Sequence, residues 1–418
     1  MKDFSDGFTR EEVVALTQEL IRIPSHRDVK GRETDVANFI YNYCSNLGFE
    51  CEKVPVQSAS NNPEYCRRLG IEPADPPVAD RFNVNVRLCG EGDGPTLLFN
   101  GHMDTVPPFE MVVDPYGAEI RNGNIYGRGA NDMKGALACM ITAMAALKRT
   151  NTRLKGDVLF TAVIGEEDEG EGTEEFVRLG GKADGAIVGE PSGYEYAIGH
   201  RGLEWIEVTF TGKTVHGGQA HLGINAITKA TKFITRVEET LIPKIHARTN
   251  EYMGTSIMNY GTIHGGDQPS TVAGTCRLQL DRRYLPGETV ETVLSEYQAI
   301  IDELSKEDPD FKAELSLVPN GQMRYYYHMP LIPQPEKKLV NVVRDTFIDF
   351  LGEEATLNTT RGWTDAAILS SYGKIPSVVM GPGNVKNSHT KDEHIEIDQL
   401  VNYVQLYANI AERFCTTV

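Results

Sequence analysis

Cysteine is scarce and badly spaced for chemistry in this 418-residue chain: seven residues, an odd number, with no Cys-x-x-Cys pair. That pattern argues against a disulfide framework or a cysteine-built zinc site, and for reduced thiols. Basic charge is also short, with 41 Lys plus Arg against 59 Asp plus Glu and a formal net charge of −18. Nucleic acid and anionic membrane are therefore disfavoured as partners. No run approaches the roughly 20 apolar residues needed to span a bilayer. The start, Met1-Lys2-Asp3-Phe4-Ser5-Asp6, lacks a basic region followed by an apolar core, so no secretion signal is expected. Internal repeats and low-complexity segments are missing as well. What remains is 40% apolar and 24% charged residues, the composition of a soluble globular protein long enough for two domains. A cytoplasmic location is expected.

Present instead is a series of apolar runs that end in acids or histidine. Thr96-Leu97-Leu98-Phe99 reads as a buried strand leading into Asn100-Gly101-His102-Met103-Asp104-Thr105-Val106-Pro107. His102 and Asp104, two residues apart, point to the same side in extended backbone. A neutral imidazole is a good zinc ligand, and a nearby carboxylate can hold its other nitrogen. A hydrogen-bonded turn would use the same two residues. Gly127-Arg128-Gly129-Ala130-Asn131-Asp132-Met133-Lys134-Gly135 then opens a helical run carrying Leu137, Met140, Ile141, Met144 and Leu147 at helical spacing. Asp132 falls at or just before the helix start, where it can cap, bind metal, or do both through different oxygens. Cys139, inside that helix, reads as a packing residue and not as a nucleophile.

The strand-like run Asp157 to Ile164 delivers Gly165-Glu166-Glu167-Asp168-Glu169-Gly170-Glu171-Gly172-Thr173. A charge run is ordinarily a solvated loop, yet acids directly after a buried strand occupy the ligand position of open α/β sheets. Ala186-Ile187-Val188 leads likewise into Gly189-Glu190-Pro191-Ser192. Ile375 to Met380 leads into Gly381-Pro382-Gly383 and then Ser388-His389-Thr390-Lys391-Asp392-Glu393. Five motifs of metal-ligand type after five apolar runs are hard to reconcile with coincidence.

Helices are expected over 10–23 and 32–47, and residues 56–80, rich in Pro, Asn and Asp, read as a surface insertion. After Pro191-Ser192-Gly193 the pattern changes. Leu203 to Phe210 alternates as a half-exposed strand should. A helix over 223–241, strands at 256–260 and 275–281, a helix from near Glu288 and a strand at 313–317 follow. That order predicts a compact α+β sandwich inserted into the first unit. A helix near 336–351 and the strand bearing Val378-Val379-Met380 return the chain to that unit.

With these motifs the chain resembles the dinuclear zinc hydrolases that include acetylornithine deacetylase, succinyl-diaminopimelate desuccinylase, aminoacylase and carboxypeptidase G. The match runs in family order from about residue 10 to the C-terminus. The resemblance implies an α/β catalytic domain with a central mixed sheet flanked by helices, formed by residues 1–198 and 319–418. An α+β lid, residues 199–318, would interrupt it and serve in dimerisation. It further implies that His102 and Glu190 bind one metal, Glu167 and His389 the other, that Asp132 bridges them, that Asp104 orients His102, and that Glu166 is the general base. Gly165 stands where the family usually has a third acid. A shifted register would make Glu167 the base and Asp168 the ligand, but the first register also aligns Gly170, Gly172 and Thr173 with the family's glycine-rich turn.

Two divalent ions, zinc with cobalt or manganese as substitutes, suit this mixture of carboxylates and imidazoles. They imply amide hydrolysis by an activated water, with Glu166 carrying the proton to the departing amine. Gly212-Lys213-Thr214-Val215-His216-Gly217-Gly218 resembles the lid motif whose histidine reaches a neighbouring subunit's site; by itself His216 reads as a turn residue. Asp281-Arg282-Arg283-Tyr284 resembles the strand whose arginine receives a substrate carboxylate; by itself Arg283 reads equally as a surface salt bridge. Ser270 stands where the family often has Asn, so no relative's substrate can be assumed. Thr364-Asp365-Ala366 matches a segment beside the site and is read as structural. The expected substrate is an N-acyl amino acid or a dipeptide. Hydrolysis of a non-peptide C–N bond and a non-catalytic metal-binding scaffold are the alternatives.

Overall fold

The computed structural model describes residues 1–57, 61–69, 72, 81–168, 170–319 and 322–416. Eight strands form the main sheet, in the order Glu50–Val56, Arg81–Leu88, Val158–Val163, Leu97–His102, Gly185–Val188, Ser377–Val379, Tyr196–Ala197, Leu357–Asn358. Leu97–His102 runs parallel to both its neighbours, and Ser377–Val379 runs parallel to Gly185–Val188. The flanking pairs at one edge are antiparallel, so the sheet is mixed.

Alternation along these strands fills two cores. Leu97, Phe99 and Ile187 face one side, packed with the helices Arg10–Arg22, Thr34–Asn46, Gly135–Arg149, Lys338–Leu351 and Ile397–Thr416. Leu98, Ala186 and Val188 face the other, against Phe176 and the helix Ala366–Ser371. Gly135–Arg149 is buried from Gly135 through Leu147, as a helix apolar on every face must be. Close packing also explains two glycines at strand ends. A Cβ on Gly101 or Gly189 would come within 2.6 Å of the Met133 methyl group.

Beyond the main sheet, Ile257–Gly265, Thr275–Tyr284, Gly202–Thr211 and Lys312–Leu317 form a four-stranded antiparallel sheet in that order. Ile206, Val208, Phe210, Leu278 and Leu280 form a separate core with Phe233 and Tyr297 from the helices Ala226–Arg236 and Val290–Glu307. The expected strand-helix-strand-strand-helix-strand order is what forms. The helix expected over 223–241 is shorter: Asn225 caps it at Ala226, and beyond Arg236 it gives way to a wide turn, Val237–Leu241. Val290–Glu307 begins at a reciprocal cap between Thr289 and Thr292.

The segment 56–80 is not simply a surface insertion. Asn62 Oδ1 accepts the amides of Glu64 and Tyr65 at 3.0 and 3.1 Å, starting the helix Pro63–Leu69 with Tyr65 and Cys66 buried. The rest of that expectation, at 58–60, 70, 71 and 73–80, lies outside the described residues. No described helix is long and apolar enough to cross a membrane. Cys44, Cys51, Cys89, Cys139, Cys276 and Cys415 form no disulfide.

Candidate metal centre

Four parallel strands end on one side of the sheet, and the loops leaving them carry the polar motifs. That is where open α/β sheets place their ligands. His102 is the last residue of its strand and almost fully buried. Its Nδ1 lies 3.0 Å from the main-chain oxygen of Asp104, a contact that selects the Nδ1–H tautomer and frees Nε2. Nε2 then faces Asp132 Oδ1 at 3.2 Å and Glu190 Oε1 at 3.8 Å. On the far side of Asp132, Oδ2 lies 3.5 Å from His389 Nε2, which also meets Glu167 Oε1 at 3.0 Å. The two oxygens of Asp132 thus serve two histidines. His102, Asp132 and Glu167 form one group with ligand atoms within 4.8 Å of one another, and His102, Glu166 and Glu190 form a second.

Asp132 does not cap the following helix. It sits in a kinked turn, Ala130–Lys134, at φ −130° and ψ 96°; Lys134 takes the N-cap position, and no side chain caps the helix. The Asp132–Met133 peptide bond is cis. The carboxylate is free for the cluster because the turn is held from behind: Glu393 Oε1 accepts the amides of Asn131 and Asp132 at 3.0 and 3.1 Å. Glu393 is itself paired with the buried Arg128. The strand His394–Glu396 pairs with Asn124–Tyr126, which draws the C-terminal motif back across the chain to Asp132.

Such a cluster is poorly stable as bare charge. Burial, reinforced by Glu190, pushes Glu166 well above the usual carboxylate range, and burial with Asp132 does the same to Glu190. Glu167 is also raised by burial, against the pull of His389. Burial works against the His102 imidazolium, yet the bond from Asp132 and the charges of Glu190 and Asp104 hold its pKa well above 6.5. Acids that resist ionising around histidines that hold protons are what a cation-binding set becomes when protons stand in for the cation. One buried atom points the same way: Glu190 Oε1 has no hydrogen-bond partner. The donor set, with two imidazoles and four carboxylates, fits a pair of divalent ions.

Asp104 has a second task. Its carboxylate accepts the amides of Glu166 at 3.2 Å and Glu167 at 2.9 Å, while lying 3.6 Å from His102 Nδ1. Asp168 is turned away from the cluster and bound by Arg27 and Arg32. Nor does Glu171 lie in a solvated loop, while Glu169 of the same acidic run is outside the described residues. Glu171–Arg178 is a helix with Glu171, Glu174 and Glu175 buried; Arg81 holds the first, and Arg324 holds the other two. Asp365, read from sequence as structural, is buried at the rim. Its Oδ2 accepts Thr173 Oγ1 at 2.6 Å, Oδ1 has no partner, and burial raises its pKa to about 7.

Two sequence candidates make their bonds elsewhere. His216 is exposed, and its Nδ1 accepts the Gly218 amide at 3.1 Å. Arg283 forms a two-point pair with Asp281, at 2.8 and 3.0 Å. Cys139 is buried with its thiol pKa well above the ordinary value, as a packing residue requires. Sequence reasoning missed Glu393 and Arg128 as supports. Their only signal was proximity to His389 and Asp132.

The chain is similar to known hydrolases along nearly its whole length. It is 28% identical over 430 residues to an N-formyl-4-amino-5-aminomethyl-2-methylpyrimidine deformylase of Halalkalibacterium halodurans, covering 97% of this chain and 95% of that one. It is 28% identical over 412 residues to an acetylornithine deacetylase of Proteus mirabilis, covering 96% of each. The solved structure of a dinuclear metal-binding peptidase from Bacillus subtilis has the same fold, with a TM-score of 0.70 at 15% identity over 98% of this chain and 99% of that one. The sequence profile of peptidase family M20/M25/M40 matches residues 98–413, and the chain belongs to that family of metal-dependent amidohydrolases.

Proposed function

We propose that this enzyme removes the acyl group from an N-acyl amino acid, with Glu166 as general base beside a dinuclear centre. The observation that carries the reading is the division of Asp132 between His102 and His389, with Glu190 on one side and Glu167 on the other. His102 and Glu190 would hold one ion, Glu167 and His389 the other, and Asp132 both. Zinc is the expected metal, with cobalt or manganese as substitutes. Bound there, the ions supply Lewis-acid polarisation of the carbonyl and a more acidic water. Glu166, which neighbours His102 and Glu190 but is left out of this ligand assignment, takes the proton from the attacking water as the C–O bond forms. It returns that proton to nitrogen as the C–N bond breaks. Asp104 keeps Glu166 and Glu167 in place through their amides and faces His102.

His216 is assigned to the site of a neighbouring subunit in a homodimer joined through the lid, where it would steady the developing oxyanion. The separate core around Ile206, Phe210 and Tyr297 supports a lid of residues 199–318 between catalytic segments 1–198 and 319–418. The odd number of cysteines, with Cys44, Cys51, Cys89, Cys139, Cys276 and Cys415 in no disulfide, supports a cytoplasmic location. Arg283 is assigned to the substrate carboxylate, and a dipeptide would present the same group.

A second reading is favoured by one observation: Asp281 already occupies the guanidinium fork of Arg283. A substrate without a carboxylate, such as the formylated aminomethylpyrimidine named for the deformylase relative, would not compete for it. Metal-loaded enzyme should be offered N-acetyl and N-succinyl amino acids, dipeptides and N-formyl aminomethylpyrimidine, with products identified by mass spectrometry. Turnover confined to the formyl compound would replace the first reading with the second; turnover of none would remove both.

A further inference from the structure

Three acids stand in a row at Glu166, Glu167 and Asp168, and each could bind a cation. Only two face the cluster. Asp104 grips the amides of Glu166 and Glu167, while Asp168 points to the turn before the helix Thr34–Asn46. There Arg32 Nη2 bonds Asp168 Oδ2, and Arg27 Nη1 lies 3.3 Å from Oδ1. Arg32 is the firmer partner: its side chain is 27% exposed against 56% for Arg27, and charge-assisted bonds gain strength as water is excluded.

The turn that presents Arg32 is itself anchored. Arg32 has φ 47°, a left-handed conformation uncommon outside glycine, and its amide bonds Val29 O at 3.0 Å. The next residue, Glu33, is fully buried and bonded twice by Arg81 at 2.9 Å. Arg81 also holds Glu171. Adjacent residues 32 and 33 therefore fix both ends of the loop running from Asp168 to Glu171.

We propose that Arg32, backed by Arg27, is a positioning residue that withholds Asp168 from the metal centre, so that Glu167 becomes the ligand and Glu166 remains free as base. A released Asp168 carboxylate, one residue from Glu167, would compete for the same ion. Its success would slide the register by one and turn the present ligand into a misplaced base. This rests on the proposed ligand role of Glu167.

The test follows Co2+ titration by visible absorption, with kcat and KM, in Arg32→Ala, Arg27→Ala/Arg32→Ala, Asp168→Asn and the triple variant. The arginine variants should change the Co2+ spectrum and lower kcat by on the order of 10²-fold, the scale of an ångström misplacement, with KM little altered. Adding Asp168→Asn should restore the spectrum and most of kcat, because the competing charge is gone. If Arg32→Ala does not fold, Arg32→Lys keeps the charge without the fork and should give an intermediate spectrum. Arginine variants with the native spectrum, or with a defect that Asp168→Asn does not relieve, would overturn the proposal. Glu167→Gln distinguishes the underlying reading: if it binds Co2+ as the parent does, the ligand assignment fails whatever the arginines show.

Discussion

Asp104→Asn separates two jobs that this residue could perform. The residue is 3% exposed, and its two side-chain oxygens accept the amides of Glu166 and Glu167 at 3.2 and 2.9 Å. Asparagine keeps the shape but turns one acceptor into an NH2 group facing an N–H. One charged hydrogen bond is lost, about 1.5–3 kcal/mol, or about tenfold to a hundredfold in the equilibrium for local opening. Hydrogen–deuterium exchange at the Glu166 and Glu167 amides should quicken by that factor, and kcat should fall with the loosened base. Metal content should hold, because His102 Nδ1 rests on the main-chain oxygen of Asp104, which the substitution leaves in place. Loss of metal with unchanged exchange at 166 and 167 would refute this reasoning and make Asp104 chiefly a support for His102.

Glu166→Gln should keep its metal and lose roughly 10²–10⁴-fold in turnover, whereas Glu167→Gln should bind metal more weakly; exchanged phenotypes would establish the shifted register. Arg81→Ala removes the guanidinium bonded to the buried Glu33 and Glu171, and should cost about 3–5 kcal/mol by urea titration; an unchanged midpoint would show that the network contributes nothing. Burial lowers the His200 pKa from 6.5 to about 4, so the unfolded chain binds a proton between those values that the folded chain refuses. The contribution of His200 is thus complete above pH 6.5 and lost as pH falls to about 4, by about 3 kcal/mol at 1.36 kcal/mol per unit. His200→Gln should flatten that limb of stability against pH, and an unaltered limb would remove His200 from it. Cys89 is exposed and Cys51 half-buried, so Cys89→Ser should abolish most maleimide labelling of folded protein; fast labelling that persists in Cys51→Ser/Cys89→Ser would mean that a buried cysteine opens.

The ligand motifs were legible because each is the polar end of an apolar run, and strand alternation alone sets which side it reaches. His102 and Glu190 follow from that logic; His389 does not, since it lies beyond the turn Val385–Asn387 and is placed by the pairing of His394–Glu396 with Asn124–Tyr126. Asp132 does not, since a cap and a ligand would share one sequence position, and only the kinked backbone, held by Glu393 from 261 residues away, takes it out of the cap role. Glu171, in the acidic run that reads as a solvated loop, misleads for a similar reason: it is buried against Arg81, which comes from a distant segment. The final helix, Ile397–Thr416, was legible and went unread. Leu400, Tyr403, Val404, Tyr407, Ala411 and Phe414 recur at helical spacing and are buried.

The central claim is that His102, Asp132, Glu167, Glu190 and His389 together hold two ions needed for amide hydrolysis. Its most direct test is to strip the enzyme with a chelator, return zinc in steps, and follow bound zinc and turnover of the best substrate together. Turnover should be lost in stripped protein and return as bound zinc approaches two per chain. Full turnover in thoroughly stripped protein, or activity already complete at one ion per chain, would contradict it.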